Sequence, residues 1–257
     1  MNPDYLDPPG CHVESHPHPG FPKTRSFEKA VFTQHRFAFF YWAKWTEEFQ
    51  ESGRGPRPPD LITIDYHPDL AAPSNQEREA LMQARDFGPR ELARFVWDRL
   101  HPMNNGHILD AAYLNLIGDV YLLRQGENDD CNFDDDGFLD FEGNLHKVYE
   151  YTEVEKFEAD IANSTAENAY LDIDLDYFIQ TEGLMYQNAT WVPFTDAQIQ
   201  AVVDPQRLLF QWLQSRIQGI TIATEPHYCG GLLNSCHFLR MVEDQLFYQD
   251  GKAKFAV

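Results

Sequence analysis

Positive charge is scarce in this sequence: 20 Lys and Arg stand against 41 Asp and Glu, a formal charge of −21 at pH 7. A field of that sign repels phosphate backbones and anionic lipid, so neither nucleic acid nor a membrane surface is expected as a partner. Cations are expected instead: metal ions, polyamines, or peptides bearing Arg and Lys. Cysteine is sparse too. Cys11, Cys131, Cys229 and Cys236 lie far apart and form no Cys-x-x-Cys pair. A reduced, cytoplasmic chain is expected, with Cys229 and Cys236 structural, since neither has a basic neighbour to lower a thiol pKa. No apolar run approaches the ~18 residues of a transmembrane helix. Met1 to Gly20 has no apolar core of a secretory signal. No internal repeat is visible. What remains is 257 residues, 43% hydrophobic and 14% aromatic. Disorder throughout is excluded, and the chain is long enough to bury a core.

The first 22 residues hold six of the 16 prolines and the histidines His12, His16 and His18. Alternating prolines leave little scaffold for ligands, so residues 1–25 read as a flexible Pro/His-rich arm rather than a metal-gathering tail. Residues 26–257 read as a single domain. There, short apolar or β-branched runs alternate with longer helical patterns. Strands are expected at Ala30–Thr33, Leu61–Asp65, Gly118–Leu123, Leu145–Tyr149, Tyr170–Leu175 and Ile220–Thr224. Helices are expected at Phe37–Phe49, Arg90–Leu100, Gly106–Asn115, Asp196–Val203, Gln206–Gln218 and Leu232–Tyr248. Thr195 and Gln198 have the spacing of a capping box, and Pro205 suits the first turn of the following helix. Several strands are apolar on both faces, which requires helices on both sides. The expected fold is α/β, three-layered, around a mainly parallel sheet.

Two acidic motifs interrupt this apolar pattern. In Leu61-Ile-Thr-Ile-Asp65-Tyr-His67-Pro-Asp69, a strand runs into alternating Asp, His and Asp. Side chains two apart in extended chain point the same way, so the three can converge. Pro68 cannot continue a ladder, which places them at the strand's C-terminal end, where sites lie in open α/β sheets. Tyr170-Leu-Asp172-Ile-Asp174-Leu-Asp176 repeats the logic with three acids. Like charges that close cannot all stay ionised in a low dielectric without a cation. Two carboxylates and an imidazole suit Mn, Fe, Co or Zn. Either motif alone could be the solvated acidic face of an edge strand; both together favour metal.

Weaker signals surround these. Ile220-Thr-Ile-Ala-Thr-Glu225 ends a third strand in an acid, ahead of Gly230-Gly231. His35 follows one strand, and His107 opens a helix; lone histidines are as often packing residues as ligands. The loop over residues 129–142 (Asn132-Phe-Asp134-Asp-Asp136-Gly137) has the oxygen spacing of a calcium loop but Gly143 at its twelfth position, so a solvated acidic loop is favoured.

His35-Arg-x-Ala-Phe-Phe-Tyr-Trp, Ile64-Asp-Tyr-His-Pro-Asp-Leu70, Leu171-Asp-Ile-Asp-Leu-Asp-Tyr-Phe178 and Tyr228-Cys-Gly-Gly231 together resemble the arginase (ureohydrolase) superfamily. More narrowly they resemble uncharacterised-protein family 0489, which includes the peptide arginases of ribosomal-peptide pathways. The resemblance spans roughly residues 28–245. It implies an arginase/deacetylase-like fold, two Mn²⁺ per chain, and conversion of arginine side chains in a precursor peptide to ornithine with release of urea.

It also implies roles. Asp65 and Asp172 would bridge the ions; His35 and Asp69 would complete one, His67 and Asp174 the other. His107 would relay protons with bulk water, Glu225 would accept hydrogen bonds from the guanidinium, and Asp176 would pass a proton to the departing amine. Departures from the family pattern are Tyr177-Phe178 in place of Asp-Pro, and Asp-Tyr-His-Pro-Asp in place of Asp-Ala-His-Ala-Asp. The loop residues that grip free arginine's α-amino and α-carboxylate groups have no counterpart, which points to a peptide-borne arginine. The rival readings are a one-zinc deacetylase-like hydrolase of the same fold and a metal-stabilised peptide-binding protein without chemistry.

Overall fold

The computed structural model describes residues 7–100, 105–125, 137–184, 187–249 and 252–253. In chain order its elements are β1 (His12–Pro17), β2 (Ser26–Phe32), α1 (Ala38–Glu51), β3 (Asp60–Asp65), α2 (Asn75–Ala84), α3 (Pro89–Asp98) and α4 (His107–Tyr113). There follow β4 (Val120–Arg124), β5 (Phe138–Leu139), β6 (Leu145–His146), β7 (Val148–Tyr151), α5 (Val154–Ala162) and β8 (Ala169–Asp174). The chain continues through β9 (Ile179–Leu184), β10 (Gln187–Pro193), α6 (Asp196–Val202), α7 (Leu208–Leu213), β11 (Ile217–Ala223), α8 (Leu232–Leu246), β12 (Tyr248–Gln249) and β13 (Lys252–Ala253). Short 3₁₀ turns at His35–Phe37 and Leu175–Phe178 follow β2 and β8.

Seven strands form one sheet in the order β1-β2-β11-β8-β3-β4-β7, and every pairing is parallel except β1 with β2. Strand side chains alternate between the two faces. Leu61, Val120 and Leu122 join one buried cluster with α1 to α4; Ile62, Tyr121 and Leu123 join another with α5 to α8. The expected α/β fold, with a mostly parallel sheet between helices, is what forms. Gly219 in β11 is required by the first of these layers: a Cβ there would lie 2.3 Å from the Trp45 ring. Among the described residues, no helix is long and apolar enough to cross a membrane.

Several local expectations are corrected. Residues 12–17 are not a loose arm but an edge strand, paired with β2 from His12↔Val31 to Pro17↔Ser26. It is held by Lys29, fully buried, whose ammonium lies 2.8 Å from Glu14 and also binds Glu243 of α8. His16 packs on Phe27 and Phe247. The helix expected over Gln206–Gln218 is only α7; by Ile217 the chain has entered β11, and Pro205 lies before α7. The strand expected over Leu145–Tyr149 is split into β6 and β7. Two helices were not foreseen. One of them, α2, begins at a capping box in which Ser74 accepts from the Glu77 N–H and Glu77 from the Ser74 N–H. Residues 129–136 of the possible calcium loop fall outside the described residues. Asp140 beyond them is already satisfied, accepting from the backbones of Glu142 and Asn144 and from the Asn144 amide.

Candidate metal centre

The C-terminal ends of β2, β11, β8 and β3, four neighbours in the sheet, deliver the acids and imidazoles to one place. His35 leaves β2 in a 3₁₀ turn and is fully buried. Its Nδ1 stands 3.1 Å from Asp69 Oδ2, 3.1 Å from Asp174 Oδ2 and 3.3 Å from Asp65 Oδ2. An imidazole nitrogen carries at most one proton and cannot satisfy three carboxylates. Asp65 Oδ2 is buried and accepts no well-formed hydrogen bond. The residues thus fit a cation. His35, Asp65 and Asp174 offer ligand atoms within 4.8 Å of one another, as do Asp65, His67 and Asp176, and Asp174, Asp176 and Glu225. A fourth such group is His35, Asp69 and His107. Buried His and Asp of this kind can hold metal ions.

Electrostatics agree. Burial, and then the charges of Asp176 and Glu225, hold the Asp174 carboxyl well above its ordinary pKa. Burial followed by Asp69 and Asp176 does the same to Asp65. Burial opposes a charge on His67, but the hydrogen bond and charge of Asp176 prevail and lift it to about 9. A cation would replace this crowding with attraction.

Asp172 does not join the cluster. Its Oδ2 accepts from His35 Nε2 at 2.7 Å and from the Thr63 hydroxyl at 2.8 Å, and its Oδ1 accepts from the Thr221 hydroxyl at 2.5 Å. Asp172, expected to bridge two ions, is in none of the candidate ligand groups among the described residues, whereas Asp174 and Asp176 are each in two. The reason is the strand period. Asp172 is two residues, about 6.6 Å, short of the sheet edge. β8 ends at Asp174, and the turn that follows brings Asp176 back to the edge. The Asp176 N–H donates to Asp174 Oδ1 at 3.0 Å, and the His67 N–H donates to Asp65 Oδ1 at 2.7 Å. Each acid thereby orients the next member of its own motif.

Asp176 itself is occupied. Its Oδ1 accepts from the Tyr66 N–H, and its Oδ2 lies 2.9 Å from His67 Nδ1, so it sits among the candidate ligands and not apart as a proton carrier. His107 is 1% exposed, its ring stacked on Trp42 at 5.6 Å and 4.3 Å from that of His35. A relay with bulk water needs a ring that solvent reaches, and this one is buried. Its Nδ1 faces Asp69 Oδ2 at 3.8 Å.

Glu225 reaches the same edge. Its Oε1 accepts from the His35 N–H at 2.8 Å, and burial lifts its carboxyl to about 7 against the opposing influence of His35. Two of these acids sit in left-handed backbone, Asp69 at φ 48° and Glu225 at φ 26°. Glu225 does so although Pro226 follows it, and such conformations cost about 1–3 kcal/mol each. The Glu225 turn is tied down by the Thr224 carbonyl, which accepts from Ser235 Oγ at 2.7 Å and Cys229 Sγ at 3.2 Å. Cys229 is buried, and burial pushes its thiol pKa up.

Sequence reasoning passed over Thr63 and Thr221, hydroxyls set in otherwise apolar buried strands. Their position was the available signal, since a buried hydroxyl needs a partner. Tyr228, which sequence marks only as the start of Tyr228-Cys-Gly-Gly231, also reaches the cluster: its ring is near-perpendicular to that of His67, with centroids 5.6 Å apart. No protein-family model matches this chain, and no curated protein matches it.

Proposed function

We propose that this chain is a binuclear manganese hydrolase that converts arginine side chains of a peptide to ornithine, releasing urea. The observation that supports it most is that Asp65 belongs to two adjacent ligand groups, one with His35 and Asp174, the other with His67 and Asp176. These residues would hold the two ions, with Asp69 beside the first. The oxygen-rich donor set suits Mn²⁺. Bound there, a pair of divalent ions supplies a hydroxide nucleophile near neutral pH by lowering the pKa of water from about 15.7.

The chain's own residues do the rest. Glu225, fixed by the His35 N–H, presents a carboxylate to the planar guanidinium and accepts its paired donors. Asp172 fixes the His35 ring, so that Nδ1 faces the ions. Asp69 keeps 11% side-chain exposure, more than Asp65, Asp172, Asp174 or Asp176, and burial raises its pKa. Among these carboxylates it is the one that solvent reaches most; the proton that water loses is taken up by the departing amine. Water adds to the guanidinium carbon, the bond to the side-chain nitrogen breaks, and urea leaves. The net charge of −21 draws a cationic substrate inward.

The test is incubation of the Mn²⁺-loaded protein with an Arg-containing peptide, read by mass spectrometry for loss of CH₂N₂ and by a colorimetric assay for urea. Metal analysis of the same sample should give two Mn per chain. One zinc per chain with release of acetate from acetyl-lysine would favour the deacetylase reading instead.

A further inference from the structure

Beside the cluster lies a feature that the chemistry above does not use. Tyr228 is 36% exposed while its ring stands near-perpendicular to that of His67, with centroids 5.6 Å apart. Four residues further on, Leu232 and Leu233 open α8 with exposures of 64% and 86%. Trp191 of β10 is 39% exposed, and a Cβ placed on Gly230 would lie 4.0 Å from its own Cβ. Between Tyr228 and Leu232 stand Cys229, which is buried, and two glycines at φ 72° and 116°. The one polar side chain against Gly230 is that of Asn234, whose amide is tied down by donating to the Cys229 carbonyl at 3.1 Å.

Single exposed apolar residues need no explanation, but several together at the mouth of a site do. The first turn of α8 has no side-chain cap, and the usual Ser, Thr, Asp or Asn at that place is Gly231. Solubility would be served by polar residues at positions 232 and 233. Leucines sit there instead, four and five residues along the chain from Tyr228, whose ring meets His67 of the acidic cluster.

We infer that Tyr228, Trp191, Leu232 and Leu233 form a shelf that binds a large apolar residue next to the basic residue entering the site. The inference rests on the peptide reading above and narrows it: the preferred substrate is a peptide in which the target arginine is flanked by Leu, Phe or Trp. The complementarity has two parts. The cation is drawn to the carboxylates around Asp174 and Glu225, and its neighbour covers leucines that otherwise face water. Tyr228 belongs to both regions, since its ring lies near-perpendicular to that of His67 and more than a third of the residue is exposed.

The experiment uses Mn²⁺-loaded protein and two labelled Arg peptides that differ only in the residue beside arginine, Trp in one and Ser in the other. Binding is read by fluorescence anisotropy and turnover by mass spectrometry. The Trp peptide should bind about tenfold more tightly, the scale expected when a buried apolar side chain is partly offset by ordering costs. In L232S/L233S, both changes at exposed positions, the ratio between the two peptides should fall to near one. Equal binding of the two peptides by the wild-type protein overturns the shelf, as does a ratio unchanged in the double variant. Tighter binding of the Trp peptide without loss of CH₂N₂ from either would sustain the shelf and refute the hydrolase reading. The two failures are therefore distinct.

Discussion

Replacing Asp172 with Asn separates the residues that face the cluster from the one that stands behind it. Asp172 accepts three hydrogen bonds, from His35 Nε2, Thr63 and Thr221. Asn keeps the shape, loses the charge and turns one oxygen into a donor. On the Thr221 side that donor meets a hydroxyl free to rotate and accept; on the other it meets His35 Nε2–H. The amide should therefore settle with its oxygen toward His35, and the ring keeps its orientation but loses an ionic partner. Partners behind a metal ligand are typically worth 10–100-fold in metal affinity, or about 1.4–2.7 kcal/mol. Asp174 faces His35 Nδ1 directly at 3.1 Å, so Asp174→Asn should lose considerably more. Titration of Mn²⁺ in competition with a chromophoric chelator measures both variants, with melting curves of the metal-free proteins to show that each is folded. Equal losses in the two variants would refute this division of labour, as would an Asp172→Asn protein with wild-type affinity.

Glu225→Gln should lower turnover of an Arg peptide by roughly tenfold to over a hundredfold, the cost of a charged hydrogen bond of about 1.5–3 kcal/mol. Retention of full activity would remove Glu225 from guanidinium binding, whereas loss of metal would move it into the ligand set. Asp110 of α4 is buried, and burial, then the charge of Glu77, raises its pKa from 3.8 to about 8. The folded state then holds more protons than the unfolded chain between those values, so this group's contribution to stability falls as pH rises through that window. Asp110→Asn should flatten the melting temperature against pH between about pH 4 and 8; an unchanged slope would show that Asp110 ionises freely. Gly219→Ala would push a methyl to 2.3 Å from Trp45. Overpacking of this kind costs about 1–3 kcal/mol, which should lower the melting temperature by several degrees; an unaltered melt would mean the helix above β11 yields easily.

The sheet was legible because apolar strands bounded by turn residues announce themselves. β3, β8 and β11 lie within a few residues of their expected positions; β3 and β8 end in the acids that marked them, and Glu225 follows two residues after β11. The arm was misread because Pro17 and Pro19 outweighed the alternation of His12–Pro17; pairing with β2 and the buried Lys29 ion pairs were tertiary facts without a local signature. That Asp174 and Asp176, and not Asp172, join the ligand groups has a similar origin. Alternation says that three acids share one side of a strand, but not where the strand stops. That depends on the turn at Leu175–Phe178, and Asp-Leu-Asp does not announce a turn. For His107, sequence supplied the residue type; only packing against Trp42 shows that it is buried.

Residues 35, 65, 174 and 225 meet because β2, β3, β8 and β11 are neighbours in the sheet, although the chain visits them far apart. The ligand set therefore does not exist in any fragment of the chain or in any misregistered sheet. Metal uptake becomes a check on assembly: a chain paired wrongly by one strand has no place for the ion. The converse also holds. Before an ion arrives, the same strand ends hold crowded acids that raise one another's pKa, which disfavours their charged forms. Any ion that binds only the correct pairing adds stability in proportion to the logarithm of its concentration over its Kd. An ion held at these strand ends would thus favour the folded chain as its supply rises.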